Sequence, residues 1–238
     1  SGAEKELAEI TDLIGSYTTN FASSSAGRAK NVITGVSKVD GTILYPGEEF
    51  DLAKTVSPFT QENGYELAGA YQNGTVVESF GGGICQVATT LYNAVIRAEL
   101  EITMRFNHSM LVHYVEPSMD AAIAGNYKDL KFKNNLDAPV YIEGYCSGGI
   151  IYFNVYGKET RPSNREISFE SETVSKTDPK VQFTMDASLT AGSVSVTQSG
   201  QSGCIAQLWK IVKVDGKQQS RDLFNKSKIG RASCRERV

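Results

Sequence analysis

The sequence predicts an α+β chain. A mostly β domain is built around one central helix, which starts at the motif Gly81-Gly82-Gly83-Ile84-Cys85-Gln86, and a small all-β module follows. Three observations carry this. Val87, Leu91, Ala94, Val95 and Ala98 recur at helical spacing just after the motif and form one apolar face. Short alternating runs bounded by turn residues lie on both sides of that helix. After Gly157 helical periodicity disappears and alternation takes over.

The elements follow in order. Leu7, Ile10, Leu13 and Ile14 recur at close to one helical turn, which predicts a short helix over 4–15 within a helical lead-in at 1–16. Ser16 to Lys30 is polar and Ser-rich and reads as a loop or irregular extended segment. Structure resumes over Asn31 to Val39, and Asp40-Gly41 signals a turn. Thr42 to Tyr45 reads as a strand closed by Pro46-Gly47. The helix after Cys85 is expected to run to about Leu100. Ile102, Met104 and Phe106 then alternate, and Leu111 to Val115 continues the strand-like pattern. Leu130-Lys131-Phe132 is a short strand stopped by Asn134-Asn135. Pro139 to Tyr145 and Ile150 to Tyr156 read as a hairpin joined through Ser147-Gly148-Gly149.

One domain is therefore placed at 17–157, with the polar, Pro162-containing stretch 158–164 as a linker. The module at 165–229 alternates over Glu166 to Val174, Val181 to Met185, Val194 to Gln198 and Ile205 to Val214. A β unit of this size buries little core alone, and it holds no catalytic constellation. Residues 230–238 break the pattern and read as a vector-derived tail, outside fold reasoning. The opening Ser-Gly-Ala reads as a cleaved-tag remnant, which leaves room for an export signal or anchor elsewhere.

Composition narrows the partners. With 40% hydrophobic residues in a chain of 238, a packed core is expected. A formal net charge of −3 without any Lys/Arg cluster argues against nucleic acid. No apolar run approaches the roughly 18 residues that span a bilayer, so no transmembrane segment is expected. Outside the tail the cysteines are Cys85, Cys146 and Cys204, without Cys-x-x-Cys spacing. No metal site and no organic cofactor are expected. Cys146 and Cys204 are either a disulfide, in an oxidising compartment, or two buried thiols.

Cys85 is the candidate nucleophile. A thiol at a helix start meets unpaired N–H groups and partial positive charge, which favour the thiolate. The alternative is an inert cysteine in a tight turn. A cysteine nucleophile needs a base, and the chain has two histidines, His108 and His113. On a continuous strand they would point to opposite faces, so at most one would face the thiol. Main-chain N–H groups of Cys85 and Gln86, at the turn made by Gly83, are candidates for an oxyanion hole, as is the Gln86 side chain. Arg105 is a candidate for a substrate carboxylate, against a solvated strand charge. Asp120 is a candidate to orient a histidine, against a turn or cap residue. Tyr92, beside the apolar stripe, is expected in the core.

The run Gly81 to Ala94 resembles the signature of the VanW family. So do Arg28 to Asn31, Leu44 to Phe50, Asn63-Gly64-Tyr65, Arg105-Phe106-Asn107-His108-Ser109, Asp120-Ala121 and Asp129 to Asn134. The resemblance covers roughly 17–157. Residues 165–229 resemble the G-five module that often follows such a domain, with its final strand absent or replaced by the tail. The family resemblance implies a Gram-positive bacterial protein outside the membrane, linked to the cell wall and to some glycopeptide-resistance clusters. It implies an L,D-transpeptidase, with Cys85 as nucleophile and His108 as leading base. His113, outside the matched motif, is a possible second base, and Ser109 joins the positioning residues.

The implied reaction is acyl transfer on peptidoglycan stem peptides. Cys85 attacks the carbonyl of the third residue, D-alanine leaves, and an amine of a neighbouring stem resolves the thioester. Two alternatives stay open: a cysteine peptidase, in which water resolves the same thioester, and a non-enzymatic cell-wall or glycopeptide-binding protein in which Cys85 is structural.

Overall fold

The structure is a computed structural model that describes residues 2–237, apart from 73, 74, 126 and 191. Helix α1 (Gly2–Leu7) leads into strand β1 (Asp12–Asn20) and helix α2 (Ala26–Val39). Then come β2 (Thr42–Leu44), β3 (Glu49–Asp51), the short α3 (Leu52–Val56) and the hairpin of β4 (Leu67–Gln72) with β5 (Thr75–Phe80). Helix α4 (Ile84–Arg97) is followed by β6 (Glu101–Met104), an irregular segment, and β7 (Lys131–Lys133), β8 (Val140–Ser147) and β9 (Ile150–Gly157). The rest is β: β10 (Arg165–Thr177), β11 (Val181–Thr184), β12 (Ser195–Gln198), β13 (Gly203–Val214), β14 (Lys217–Ile229) and β15 (Cys234–Arg237).

The architecture is α+β, as the sequence predicts. Strands β1-β9-β8-β2 form an antiparallel sheet. Its inner face, with Ile14, Val140, Ile142, Ile151, Phe153 and Val155, is buried. Helix α4 lies across β1 and β9, and α2 across β8. Burial of α4 reaches far beyond one stripe: every residue from Gln86 to Ile96 is buried. A second small sheet, β3-β7-β6, closes the core through Phe50 and Phe132, whose ring centres are 5.0 Å apart.

Four expectations change. The helix expected over 4–15 ends at Leu7, and Asp12 onwards is β1. In that strand Ile14 points inward at 5% exposure and Leu13 outward at 53%. Pairing with the distant β9 overrides a local spacing that mimicked a helix. The segment Ser16 to Lys30, read as a loop or irregular extended segment, contains the end of β1 and the start of α2, which Ser25 caps by accepting from Arg28 N–H. The strand expected on both sides of Phe106 stops at Met104. Residues 105–123 are irregular because side chains satisfy much of their main chain.

The fourth change is in the module. Asp215 and Gly216 take φ of +51° and +72° and turn β13 into β14, a long strand absent from the sequence reading. Two three-stranded sheets result, β10-β13-β14 and β11-β15-β12. Strand β15, from the segment set aside as a tail, sits between β11 and β12. Cys146 and Cys204 are free thiols and form no disulfide.

The module docks on the first domain. Leu208, fully buried, joins the core around α4, with Phe169 and Phe224 packed against it. The Arg97 guanidinium lies 4.4 Å from the Tyr17 ring centre and 5.5 Å from that of Phe169. Glu99 gathers Arg165 (2.6 Å), Arg161 (3.5 Å) and Lys210. Burial alone would raise the Glu99 carboxyl from 4.5, but the bonds and charges of Arg165 and Lys210 outweigh it and hold it at about 2. A depressed carboxyl stabilises the folded state fully above its unfolded value, and this is lost as pH falls through the folded one. The docked module is therefore expected to loosen between about pH 4.5 and pH 2. Fluorescence of Trp209, beside Lys210 on β13 and the single tryptophan of the chain, reads this. Glu99→Gln is expected to flatten the acid dependence; an unaltered acid transition in that variant removes Glu99 from the explanation.

Candidate active site

The turn before α4 is shaped by contact. A Cβ on Gly82 would stand 2.6 Å from the Ala68 carbonyl oxygen of β4, so only glycine lets the hairpin approach. Gly83 is the N-cap residue, with φ of +113°, and a Cβ there would meet Arg28 Cγ at 3.0 Å. No side chain caps this helix start. Gln86 N–H donates to the Gly83 carbonyl (2.9 Å), whereas Cys85 N–H has no acceptor among the described residues. Of the two main-chain donors expected for an oxyanion, Cys85 N–H is the free one.

Cys85, Thr89 and Asn93 form one line along α4, four residues apart. The extended segment 119–123 runs antiparallel to it. Ile123 N–H donates to Cys85 Sγ (3.4 Å), and Sγ–H reaches Ile123 O at 3.4 Å. Thr89 Oγ1 donates to Ala121 O and accepts from Ala121 N–H (3.1 and 3.0 Å). Asn93 Nδ2 donates to Met119 O (2.7 Å). Four helical residues rise about 6 Å and two extended residues about 6.6 Å, so the two repeats stay in register over this length. The buried polar line on α4 is thus a rail for residues 119–123, and it fixes Asp120 between its rungs.

Asp120 is 1% exposed. Its Oδ2 is 2.7 Å from His108 Nδ1 and accepts from His108 main-chain N–H at 2.6 Å. Its Oδ1 accepts from Arg105 Nη2 (3.0 Å), while Arg105 Nε donates to the Asp120 carbonyl (2.7 Å). Asp120 holds Nδ1, which leaves Nε2 as the ring nitrogen of His108 free to act on the neighbouring thiol. Burial opposes ionisation of Cys85, but the hydrogen bond and charge of His108, with Ile123 N–H, bring the thiol below its ordinary 9.0. Burial also opposes protonation of His108, yet Asp120 and Cys85 raise it to about 9. Burial works against the Asp120 carboxylate too, and His108 and Arg105 hold it below the usual range. The three groups favour thiolate, imidazolium and carboxylate together. By contrast, burial pushes the Cys146 thiol up to about 11 and raises Cys204.

The remaining expected residues divide. His113 is exposed and contacts Tyr114 ring to ring at 5.6 Å, so it is not the partner of the thiol. Arg105 is buried and ion-paired with Asp120, which removes it as a substrate clamp. Gln86 is 1% exposed, and its amide donates to Thr19 Oγ1 and Asn20 O and accepts from Arg28. Its side chain is spent on structure and leaves no donor for an oxyanion. Ser109 is exposed, and its carbonyl accepts from Gly230 N–H. Tyr92 is fully buried, as expected, and its hydroxyl accepts from Asn225 Nδ2 (2.6 Å).

Two residues were missed. Arg28 lies along the first turn of α4, donating to Ser24 Oγ (2.6 Å) and Gln86 Oε1 (2.8 Å), with no carboxylate partner among the described residues. Tyr114 keeps its phenolic proton well above the ordinary range, chiefly through burial and then the charge of Cys85. The four-residue spacing of Cys85, Thr89 and Asn93 was a readable signal for the rail. Nothing local marked Tyr114. Among the described residues no cluster of His, Cys, Asp and Glu suits a metal ion.

Fold and site together define a two-domain α+β protein with a cysteine–histidine–aspartate constellation at the start of a buried helix. The chain belongs to the VanW-like family: the model described as "VanW like protein" matches residues 27–156, and a G5 domain matches 169–233. It is 36% identical over 154 residues to YoaR of Bacillus subtilis, covering 64% of this chain and 51% of that protein. It is 26% identical over 118 residues to the vancomycin B-type resistance protein VanW of Enterococcus faecalis, covering 47% of this chain and 42% of that protein. The chain thus spans about half the length of the curated relatives it matches. The HP0197-G5 structure is similar at 23% identity over 30% of this chain and 96% of its own, with a TM-score of 0.19. For the IgA1 protease G5 domain the values are 23%, 31%, 88% and 0.22.

Proposed function

We propose that this chain is a cysteine acyltransferase of the L,D-transpeptidase kind, acting on peptidoglycan stem peptides outside the cell membrane. The observation that supports it is the Cys85–His108–Asp120 arrangement at an uncapped helix start, beside a free main-chain donor. Membership of the VanW-like family, the G5 domain and the likeness to a vancomycin-resistance protein support the cell-wall setting.

The Cys85 thiolate attacks the carbonyl carbon of the third stem residue. Cys85 N–H donates to the oxyanion. The C–N bond to D-alanine breaks, and the leaving amine takes its proton from His108. A thioester remains. An amine of a second stem attacks it, passes a proton to His108, and expels the thiolate as the new amide forms. Arg28, whose partners among the described residues are neutral, offers its charge to the carboxylate of the D-alanine.

Incubation with tetrapeptide muropeptides tests this by mass spectrometry. The expected products are a thioester on Cys85, free D-alanine and cross-linked dimers. Trimmed stems without dimers would make the chain a peptidase. Unchanged muropeptides alongside binding to sacculi would sink the acyl-transfer reading. The rate is expected to be bell-shaped in pH. It rises as Cys85 ionises, below the ordinary thiol value, and falls as His108 loses its proton near 9. A D-alanine release rate that still climbs beyond that point excludes His108 as the acid.

A further inference from the structure

Strand β14 of the second domain reaches the cysteine site through two side chains. Asn225 and Ser227 alternate inward on it, and Ser227 is 1% exposed. Ser227 Oγ accepts from Arg105 Nη1 at 3.0 Å and pairs with Ser118 Oγ at 2.9 Å. Ser118 Oγ donates to Asn225 Oδ1 at 2.5 Å, and Asn225 Nδ2 donates to Tyr92 OH. With each hydroxyl donating once, the chain has one direction: Arg105 to Ser227, Ser227 to Ser118, Ser118 to Asn225, Asn225 to Tyr92.

Two members of this network hold the segment that carries Asp120: Arg105 at one end, and Ser118 within the chain itself. Ser118 is fully buried and takes φ of +72°, a conformation unfavourable for a non-glycine residue, and its carbonyl accepts from Arg105 Nη2 at 3.2 Å. Among the described residues Ser227 is the partner of Arg105 Nη1; the remaining recorded bonds of the guanidinium go to Asp120 and to Ser118 O. Arg105 is planar and rigid, so fixing Nη1 fixes the edge that faces Asp120. Asp120 in turn orients His108.

We propose that Ser227 is a positioning residue of the cysteine site, so that the second domain, through β14, completes a constellation whose reacting groups all lie in the first. The proposal rests on the reading of Cys85 as nucleophile and His108 as its base. The second domain then does more than tether the first: docking of β14 sets the orientation of Arg105, Asp120 and His108.

The test uses the whole chain and reads the Cys85 thiol directly, by its rate of alkylation with iodoacetamide from pH 5 to 10. The charged and titratable groups around that thiol are His108, Asp120, Arg105 and Tyr114 from residues 105–120, and Arg28 from α2. Ser227→Ala is expected to move the alkylation profile to higher pH and to slow modification at pH 7 by about three- to tenfold, a shift of half to one unit. It is also expected to lower kcat for D-alanine release while KM holds. In an Asp120→Asn background the same change is expected to have little further effect, because Ser227 acts through Arg105 and Asp120. A merely structural serine would lower thermal stability and leave the profile in place, which overturns the proposal. Equal effects of Ser227→Ala in both backgrounds overturn it too. Asn225→Ala, at the half-buried edge of the network, is the second variant, expected to shift the profile in the same direction by less. If Ser227→Ala does not fold, an unmoved profile in Asn225→Ala overturns the proposal. The nucleophile reading fails separately, if Cys85 of the unaltered chain titrates like an ordinary thiol.

Discussion

Replacing Cys85 with alanine is expected to abolish thioester formation and to cut D-alanine release on the order of 10⁴- to 10⁶-fold, the range seen when a nucleophile is removed from a cooperating set. The physical reason is that, among the described thiols, Cys85 is the one whose surroundings favour the thiolate. Cys146 and Cys204 are held as neutral thiols by burial. The folded state is expected to change little, by less than about 1 kcal/mol, because Cys85 is half-buried and its two main-chain contacts are weak sulfur bonds. Intact mass after incubation with substrate checks the first part, and a thermal melt the second. Retention of more than about a hundredth of the activity in a variant of unchanged stability would falsify the assignment of the nucleophile.

Replacing His108 with alanine carries the second large effect. The rate of acyl transfer is expected to drop by about 10²- to 10⁴-fold, the usual worth of a positioned acid–base group. The thiol loses both the hydrogen bond and the charge that lower it, so burial is left to dominate and alkylation is expected to shift to higher pH. Asp120 keeps Arg105 as a counter-ion, so its carboxylate remains charged. His113→Ala, at an exposed position, serves as the control and is expected to leave both rate and profile unchanged. If the two histidine variants behave alike, the base is neither of them and the geometry around Asp120 is structural.

Legibility differed from part to part for physical reasons. Helix α4 was readable because its apolar repeat is local and strong, and its polar positions are also buried. The β8–β9 hairpin was readable because alternation and the Gly148-Gly149 turn lie side by side in the chain. Strand β1 was misread because its pairing partner, β9, lies more than a hundred residues away, and an edge strand with polar outer residues looks like a loop. Strand β14 was missed because its outer face is polar almost throughout and its inward residues include Asn225 and Ser227. A strand whose buried side makes hydrogen bonds rather than apolar contacts leaves little hydrophobic period to find.

Within the site, Arg105 shows the limit most clearly. Its charge was visible and its use was not: in sequence it suits a substrate carboxylate, and in space Asp120 already occupies it. Gln86 failed for the same reason, since a buried amide must satisfy its own donors before it can serve a ligand.

The sequence by itself determined the candidate cysteine, the helix that carries it and the order of the domains, because these depend on glycine geometry, helical period and motifs that lie close together in the chain. Only the tertiary structure decided which histidine lies beside the thiol, that Asp120 and Arg105 stand behind it, and that β14 reaches Arg105 through Ser227. Those contacts are made by an irregular segment held on a polar rail along α4 and by a strand from another domain. A side chain in such places is oriented by whichever donors and acceptors surround it after folding, and no local period records them.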